Sequence, residues 1–205
     1  MSRWGEQMNL DAVIGMLVAA LALMGSPGPA TLSVAATSAV CGLRRTLPYY
    51  FRVCCGTSTV VVLVGTGVTS LILAVPGVAP ALVALAGTYI AYLAYRIATA
   101  PALPAHCESG PAPRTIAGYL LAIANPKAYA AMGALFAGYA LIEGDPRSEA
   151  ITKAIILIAL VFVVNLIWLL AGHALARFFQ SERSARILYI SFAILLIASL
   201  IPLLL

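Results

Sequence analysis

Long apolar stretches dominate this chain and constrain its fold more than any other feature. Six of them reach the ~20 residues that a helix needs to cross a bilayer. They cover residues 10–42, 46–75, 78–99, 114–142, 150–176 and 185–205. Only 9% of the residues are charged and 62% are hydrophobic, whereas a soluble domain carries ~25% charged residues. The sequence therefore predicts an all-α integral membrane protein, with one domain over residues 1–205 and no separate soluble domain.

The positions of the charged residues predict how the spans are oriented. Arginines are concentrated in three of the connections between spans, and the positive-inside rule places those connections in the cytoplasm and both termini outside. The arginines concerned are Arg44, Arg45, Arg52, Arg96, Arg114, Arg177, Arg183 and Arg186. Topology rather than nucleic-acid binding thus explains the net charge of +5. This orientation places Arg147 and Lys153 at the outer edge of the membrane. It accounts for the position of every permanently charged residue except Lys127, which lies inside a span.

Proline-containing motifs interrupt the first and the fourth span. Proline lacks a backbone donor and clashes with the preceding turn, so an intact helix through either motif is not expected. Single prolines are ordinary in membrane helices, and a kink without a transport role is the alternative for each motif. The motifs are Ser26-Pro27-Gly28-Pro29-Ala30 and Asn125-Pro126-Lys127-Ala128.

A proline-rich connection at about 100–113 leaves three spans on each side. Because three is an odd number, the second half enters the membrane with opposite polarity. The sequence therefore predicts two inverted three-helix repeats, at about 10–99 and about 114–205, with broken first and fourth spans. Interrupted segments at corresponding places in two halves indicate the midplane binding site of a transporter.

Lys127 lies 13 residues beyond Arg114, or about 20 Å along a helix, past the midpoint of a ~30 Å hydrocarbon core. A lysine at that depth costs ~2.5–3.5 kcal/mol, so we expect it to face the bundle interior or a wet cavity. Snorkelling to an interface is the alternative.

No acidic residue lies deep in any span, and the candidate partners of Lys127 are therefore neutral. They are Ser26, Thr57, Asn125, Asn165 and the carbonyl groups at the first break. Two behaviours are open to Lys127. A substrate carboxylate could serve as its counter-ion, or the lysine could lose its proton when it is buried away from water and regain the proton when water reaches it. Asn165 and Trp168 lie one turn apart and share a helix face. Asparagine in a membrane helix is about as often a contact between helices as a substrate ligand.

The sequence resembles the LysE/RhtB amino-acid exporters, small translocators of the bacterial inner membrane, over nearly its whole length. The resemblance rests on "SPGPATLSVAATSAVCGLRR", "AGTYIAYLAYR", "GYLLAIANPKA", "VNLIWLLAGHALARFF" and "SARILYISFAILLIASL". It implies export of amino acids or similar small metabolites, driven by the proton or potential gradient, and an inverted pair of three-helix repeats. The motif positions that carry over are Pro27, Gly28, Pro29, Asn125, Pro126 and Lys127.

Five positions depart from the family pattern. Arg52 stands where the family usually has a small residue, and Phe192 replaces a common glycine. Ala30 stands where the family commonly has asparagine, and Thr57 and Asn165 stand where acidic residues are frequent. The resemblance therefore does not extend to proton coupling through a carboxylate. A cationic amino acid such as lysine is expected to be a poor substrate.

The predicted function is secondary-active export of a small amino-acid-like zwitterion or anion by alternating access. To the motif positions we add Ala30, with Ser26, Thr57, Asn165 and Trp168 as secondary site residues. We expect no enzymatic activity, catalytic residue, cofactor or metal site. The partners are the substrate and the lipid bilayer, without nucleic acid, and a homo-oligomer is left open.

Three alternatives remain at this point. A metal-ion exporter of the same fold needs carboxylate, cysteine or histidine ligands, and the spans offer little beyond Cys54-Cys55. A membrane thiol-disulfide enzyme needs separated reactive cysteines, which an adjacent pair in one span fits badly. A non-transporting membrane partner protein is the third, because two family acids are replaced by neutral residues.

Overall fold

The structure is a computed structural model that describes residues 9–67, 84, 88, 90–95, 97–99, 115–142, 144–178 and 182–198. Helices make up the regular structure of these residues. Those with defined bounds are α1 (Leu10–Gly25), α2 (Pro29–Cys41), α3 (Leu43–Gly65), α4 (Thr115–Ile123), α5 (Pro126–Gly138), α6 (Pro146–Phe178) and α7 (Glu182–Ala198). Residues 90–95 are helical as well.

Two of the apolar stretches are bent pairs of helices. The axes of α1 and α2 differ by 57°, and those of α4 and α5 by 53°. Pro29 and Pro126 are the first residues of α2 and α5. At that position the missing N–H costs no intrahelical hydrogen bond, so each proline begins the second helix of its pair. The interruptions that the sequence predicted in the first and fourth spans are present at the predicted places.

Length and composition make the described part of the chain an all-helical membrane protein. Two helices, Leu43–Gly65 and Pro146–Ala176, are long and apolar enough to cross a bilayer. Each bent pair supplies one more candidate if its two helices form a single span, which brings the number to between two and four.

Several predictions concern residues that the structure does not describe. Half of the predicted third span, 78–99, lies outside the described residues, and so do Arg96, Arg114 and the connection at 100–113. The predicted second span continues to residue 75, whereas α3 ends at Gly65 and a turn follows in which Gly67 has φ +74°. Residues 68–75 are not described.

Close backbone contacts fix the packing of the central helices. A Cβ added to Gly56 of α3 would lie 2.6 Å from the Tyr119 carbonyl oxygen of α4. A Cβ added to Gly172 of α6 would lie 2.7 Å from the Cα of Ala35 in α2. Both distances are shorter than van der Waals contact allows. Glycine at these two positions therefore lets α3 approach α4, and α6 approach α2.

A buried ion pair near the start of α6 is also hydrogen-bonded to the end of α5. Lys153 is 4% exposed, and its Nζ lies 2.8 Å from Glu149 Oε1. The same Nζ donates to the Phe136 carbonyl at 2.8 Å, and Glu149 Oε1 accepts from the Leu141 N–H at 3.0 Å. The charge pattern placed Lys153 at the outer edge and did not anticipate its burial.

Asp145 caps the N-terminus of α6, just before the helix begins. It accepts hydrogen bonds from the Ser148 hydroxyl and from the backbone N–H groups of Ser148 and Arg147. These hydrogen bonds, led by that of the Ser148 hydroxyl, lower the pKa of Asp145. The negative charge is also favoured at this helix end, because the N-terminus carries a partial positive charge.

Candidate functional site

Lys127 reaches from the second break to the first. Its Nζ donates to the Ser26 carbonyl oxygen and to Ser26 Oγ, each at 2.7 Å, and to the Pro27 carbonyl oxygen at 3.3 Å. An ammonium has three donors, so each can be assigned to one of these oxygens. One side chain thus ties the two breaks together.

The helix ends explain why the lysine extends in this direction. Lys127 is the second residue of α5, where the partial positive charge of the helix N-terminus disfavours a cation. Its ammonium lies instead beyond the C-terminal end of α1, where the partial charge is negative. The Ser26 and Pro27 carbonyls, which lie between α1 and α2, have no place in a helical ladder. In hydrocarbon such groups need a protein or water donor, and Lys127 supplies it.

Trp168 of α6 contacts the same break. Its Nε1 donates to the Gly25 carbonyl oxygen at 3.3 Å, next to the two carbonyls that Lys127 binds. The Ser26 hydroxyl in turn donates to the Leu23 carbonyl oxygen at 2.9 Å. Side chains from two other helices and from the break itself therefore satisfy the freed carbonyl groups.

Asn125 is the N-cap of α5 and orders the second break. Its side-chain oxygen accepts from the Lys127 backbone N–H at 3.2 Å, and the residue is 5% exposed. Asparagine is among the preferred N-cap residues for this reason. The cap places Lys127 in the first turn of α5, from which its side chain reaches Ser26.

Gly28 and Thr31 order the first break. The Gly28 N–H donates to Thr31 Oγ1 at 3.0 Å, and the Thr31 hydroxyl donates to the Gly28 carbonyl at 3.1 Å. A Cβ added to Gly28 would lie 3.0 Å from both Cδ and Nζ of Lys127. The absence of a side chain at Gly28 therefore makes room for the lysine.

A cavity of about 50 Å³ opens beside these contacts, with room for a few water molecules or a small polar group. It lies where the N-terminal ends of α2 and α5 meet α1, α3 and α6. Its lining is Leu23, Met24, Gly28, Ala30, Thr31, Thr57, Asn125, Lys127, Ala128, Ala131, Met132, Val164 and Asn165. Lys127 is the ionisable member of this lining, and the other polar members are neutral.

Two buried polar residues line the cavity from α3 and α6. Thr57 is 8% exposed and donates its hydroxyl hydrogen to the Val53 carbonyl at 3.1 Å. Asn165 is 4% exposed, and its Nδ2 donates to the Val161 carbonyl at 2.8 Å. Asn165 Oδ1 is buried and has no hydrogen-bond partner among the described residues. The cavity therefore has an unused acceptor in its wall.

The structure brings the predicted site residues to one region. Six of them line the cavity: Gly28, Ala30, Thr57, Asn125, Lys127 and Asn165. Ser26 and Pro27 belong to the first break and accept hydrogen bonds from Lys127, and Trp168 donates to the adjacent Gly25 carbonyl. Pro29 and Pro126 are the first residues of α2 and α5.

Thr31 and the apolar wall, which includes Met24 and Met132, are parts of the site that the sequence motifs did not predict. Thr31 has a local signal in the sequence. Gly28 immediately precedes α2, and a threonine three residues later is placed to form a hydrogen bond with the Gly28 backbone. The methionines have no such signal, because apolar residues in an apolar span look alike in sequence.

The two adjacent cysteines of α3 have different surroundings. Cys54 is buried in the core, whereas the adjacent Cys55 is exposed, and both are free thiols. No group of three or more histidine, cysteine, aspartate or glutamate residues able to hold a metal ion is found among the described residues.

Comparison with known families identifies the class of protein. A model of the LysE type translocator family matches residues 21–203, a range that includes both breaks and every residue of the cavity lining. The chain belongs to the LysE type translocator family. Neither the curated proteins nor the solved structures that were compared contain a match to it.

Membership in this family makes the chain a multi-pass membrane transporter rather than an enzyme. It implies export of a small solute of the amino-acid kind across the membrane. The resemblance that the sequence motifs indicated is thereby confirmed.

Proposed function

We propose that this translocator is a secondary-active exporter of amino acids or similar small zwitterionic or anionic metabolites. The observation that carries the proposal is the Lys127 ammonium, held between the two breaks at the edge of a cavity without acidic lining. A cation paired with neutral oxygens alone lacks a counter-ion. A substrate carboxylate supplies one.

The polarity of the cavity supports an anionic group on the substrate. The N-terminal ends of α2 and α5 border the cavity at Gly28, Ala30, Asn125 and Lys127. Helix N-termini carry partial positive charge and unpaired N–H groups, and they favour carboxylates and phosphates. Lys127 adds a full positive charge.

The same polarity argues against a metal-ion cargo. A hard cation needs oxygen ligands that usually include carboxylates, and the charged residue of the lining is a lysine. The Lys127 ammonium would repel a cation at the point where it has to bind. We therefore rank the metal-ion exporter well below the exporter of zwitterions and anions.

In the proposed mechanism Lys127 exchanges partners. In the described state its ammonium binds Ser26 and Pro27 and holds the two breaks together. An incoming carboxylate competes with these oxygens for the ammonium and weakens the link. A ligand shifts a conformational equilibrium only through its different affinity for the two states, and this exchange provides that difference.

The proposed architecture is six spans in two inverted three-helix repeats, about 10–99 and about 114–205, joined by a cytoplasmic connection at 100–113. Similar bends of 57° and 53° and a proline at the start of α2 and of α5 support it. Rocking of one repeat against the other around the breaks would expose the cavity to each side in turn. We place the protein in a bacterial inner membrane with both termini outside the cytoplasm.

Counterflow in proteoliposomes tests the proposal. Purified protein is reconstituted with internal unlabelled alanine, leucine, threonine, glutamate or lysine, and uptake of the same labelled amino acid is measured. Wild type is expected to exchange zwitterionic or anionic members of this panel. Lys127→Ala and Asn125→Ala are expected to lose the exchange while the protein still inserts and purifies.

Arg147→Ala is the matched control, because Arg147 is an exposed cation that is not part of the cavity lining. It is expected to retain the wild-type rate. Wild-type rates in both Lys127→Ala and Asn125→Ala would overturn the assigned site. No exchange of any panel member by wild type would overturn the substrate class.

A further inference from the structure

Asn165 Oδ1 is the unexplained polar atom of the cavity. The residue is 4% exposed, it lines the cavity, and Oδ1 has no hydrogen-bond partner in the described part of the protein. A buried acceptor left without a donor costs roughly 1–3 kcal/mol. Buried polar atoms in native proteins are rarely left in this way, and each exception calls for a water, an ion or a ligand.

The orientation of the Asn165 amide is set by its other end. Nδ2 donates to the Val161 carbonyl one turn earlier in α6, at 2.8 Å. A carbonyl can only accept, so the nitrogen must face Val161 and the oxygen is the free atom. Oδ1 can therefore accept a hydrogen bond from a donor group but cannot bind an anion.

Thr57, which lines the cavity from α3, also offers an acceptor. Its hydroxyl hydrogen is used in the bond to the Val53 carbonyl at 3.1 Å. Its oxygen retains lone pairs, which only a donor can use. The walls of the cavity on α3 and α6 thus offer acceptors, whereas the ends of α2 and α5 and Lys127 offer donors and positive charge.

We propose that Asn165 Oδ1 is the subsite for the substrate's ammonium group, assisted by Thr57 Oγ1, and that it selects zwitterionic amino acids over both their deaminated analogues and cationic amino acids. This inference rests on the proposed function, because it assigns the second end of the substrate whose carboxylate binds near Lys127. An amide oxygen accepts from an ammonium without adding a negative charge. The site thereby stays positive overall and disfavours a second cationic group.

The test compares an amino acid with its counterpart in which a hydroxyl replaces the ammonium. Leucine and 2-hydroxyisocaproate compete against counterflow of a labelled amino acid that wild type carries. Wild type is expected to prefer leucine by tenfold or more, the range for a hydrogen bond to a charged group. In Asn165→Ala the preference is expected to shrink towards unity, because leucine loses a charge-assisted hydrogen bond and 2-hydroxyisocaproate, whose hydroxyl is an uncharged donor, loses a weaker one.

Asn165→Asp separates a binding role from a structural one. The carboxylate loses the donation to the Val161 carbonyl, but it has nearly the same shape and still accepts a hydrogen bond from an ammonium, so the preference for leucine is expected to persist. Its negative charge is expected to admit lysine, which wild type refuses. Leu166→Ala is the control on the same helix, since Leu166 is 41% exposed and outside the cavity lining, and its preference should equal that of wild type.

The outcomes distinguish this inference from the proposed function. Exchange by wild type with an unchanged preference in Asn165→Ala overturns the inference alone. If Asn165→Ala does not fold, exclusion of lysine by a folded Asn165→Asp variant overturns it. No exchange of any amino acid by wild type overturns the proposed function and this inference together.

Discussion

The Nζ atom of Lys127 lies 2.7 Å from both the carbonyl oxygen and the hydroxyl oxygen of Ser26, a residue 101 positions earlier in the chain. This contact joins the two broken helix pairs at the cavity. The break removes the Ser26 carbonyl from the helical hydrogen-bond ladder, and Lys127 supplies the donor that this carbonyl needs. Ser26 in turn supplies acceptors for the partly buried ammonium.

Ser26→Ala tests how much of this contact depends on the hydroxyl. The substitution removes one of the three acceptors of Lys127 and leaves the two carbonyls in place. Because a hydrogen bond to a charged group is worth ~1.5–3 kcal/mol, we expect the apparent melting temperature to fall by a few degrees. Counterflow should fall by roughly tenfold, less than in Lys127→Ala. Ser191→Ala, at an exposed position of α7, is the control. Unchanged counterflow and melting temperature in Ser26→Ala would contradict the importance of the contact.

Gly28→Ala tests whether the space beside Lys127 is required. The new methyl group would lie 3.0 Å from Cδ and Nζ of the lysine, closer than ordinary contact. The lysine side chain is flexible and can move aside, so we expect the protein to fold and its counterflow to be lost or strongly reduced.

Gly25→Ala is the matched control for Gly28→Ala, because a Cβ at Gly25 meets no atom within 4 Å. Both changes add one methyl group near the same break, and the Gly25 carbonyl that accepts from Trp168 is preserved. Equal loss of counterflow in the two variants would show that any methyl group near the break is harmful and would remove the specific argument for Gly28.

Gly172→Ala tests the close packing of α6 on α2. The added Cβ would lie 2.7 Å from the Ala35 Cα and would force the two backbones apart. Overpacking costs typically ~1–3 kcal/mol and more when the obstacle is backbone. We expect a large drop in the yield of monodisperse protein and in its melting temperature.

Gly133→Ala is the control for Gly172→Ala, because nothing lies within 4 Å of a Cβ at that position of α5. Alanine has the higher helix propensity by ~1 kcal/mol, so this variant should be as stable as wild type or slightly more stable. A melting temperature for Gly172→Ala equal to that of wild type would be inconsistent with the observed packing.

Lys153→Met tests the buried ion pair of α6 and its hydrogen bond to the end of α5. Removing the ammonium leaves Glu149 without its cation and the Phe136 carbonyl without its donor. Breaking a buried pair by removing one partner costs ~3–5 kcal/mol, and the partial exposure of Glu149, at 20%, should place the cost near the lower end. Thermal unfolding of the detergent-solubilised protein measures the effect.

The double variant Lys153→Met, Glu149→Gln shows whether an unpaired charge is the cause of that loss. Replacing both members leaves no uncompensated charge, so we expect part of the lost stability to return. Arg147→Ala, which removes an exposed cation of the same segment, should leave the melting temperature unchanged. A double variant as unstable as Lys153→Met would argue for a packing defect instead.

Local features of the sequence determined the membrane class and the two breaks. Apolar stretches of membrane length and the proline motifs act through the residues that carry them, because burial in lipid and the missing proline N–H need no distant partner. The bends before Pro29 and Pro126 therefore lie where the sequence predicted them. The motifs also identified the translocator family.

Only the tertiary structure decided which groups meet. Five neutral kinds of partner were open to Lys127, and the packing of α5 against α1 selected Ser26 and the Pro27 carbonyl. The burial of Lys153 depends on the Phe136 carbonyl, which lies 17 residues away on another helix. The lack of a partner for Asn165 Oδ1 among the described residues depends on which side of α6 faces the cavity. In a chain that is apolar on almost every helix face, the pattern of hydrophobic residues does not distinguish a lipid-facing side from a protein-facing one. The close approaches of the helices, such as Gly172 on Ala35, make that distinction.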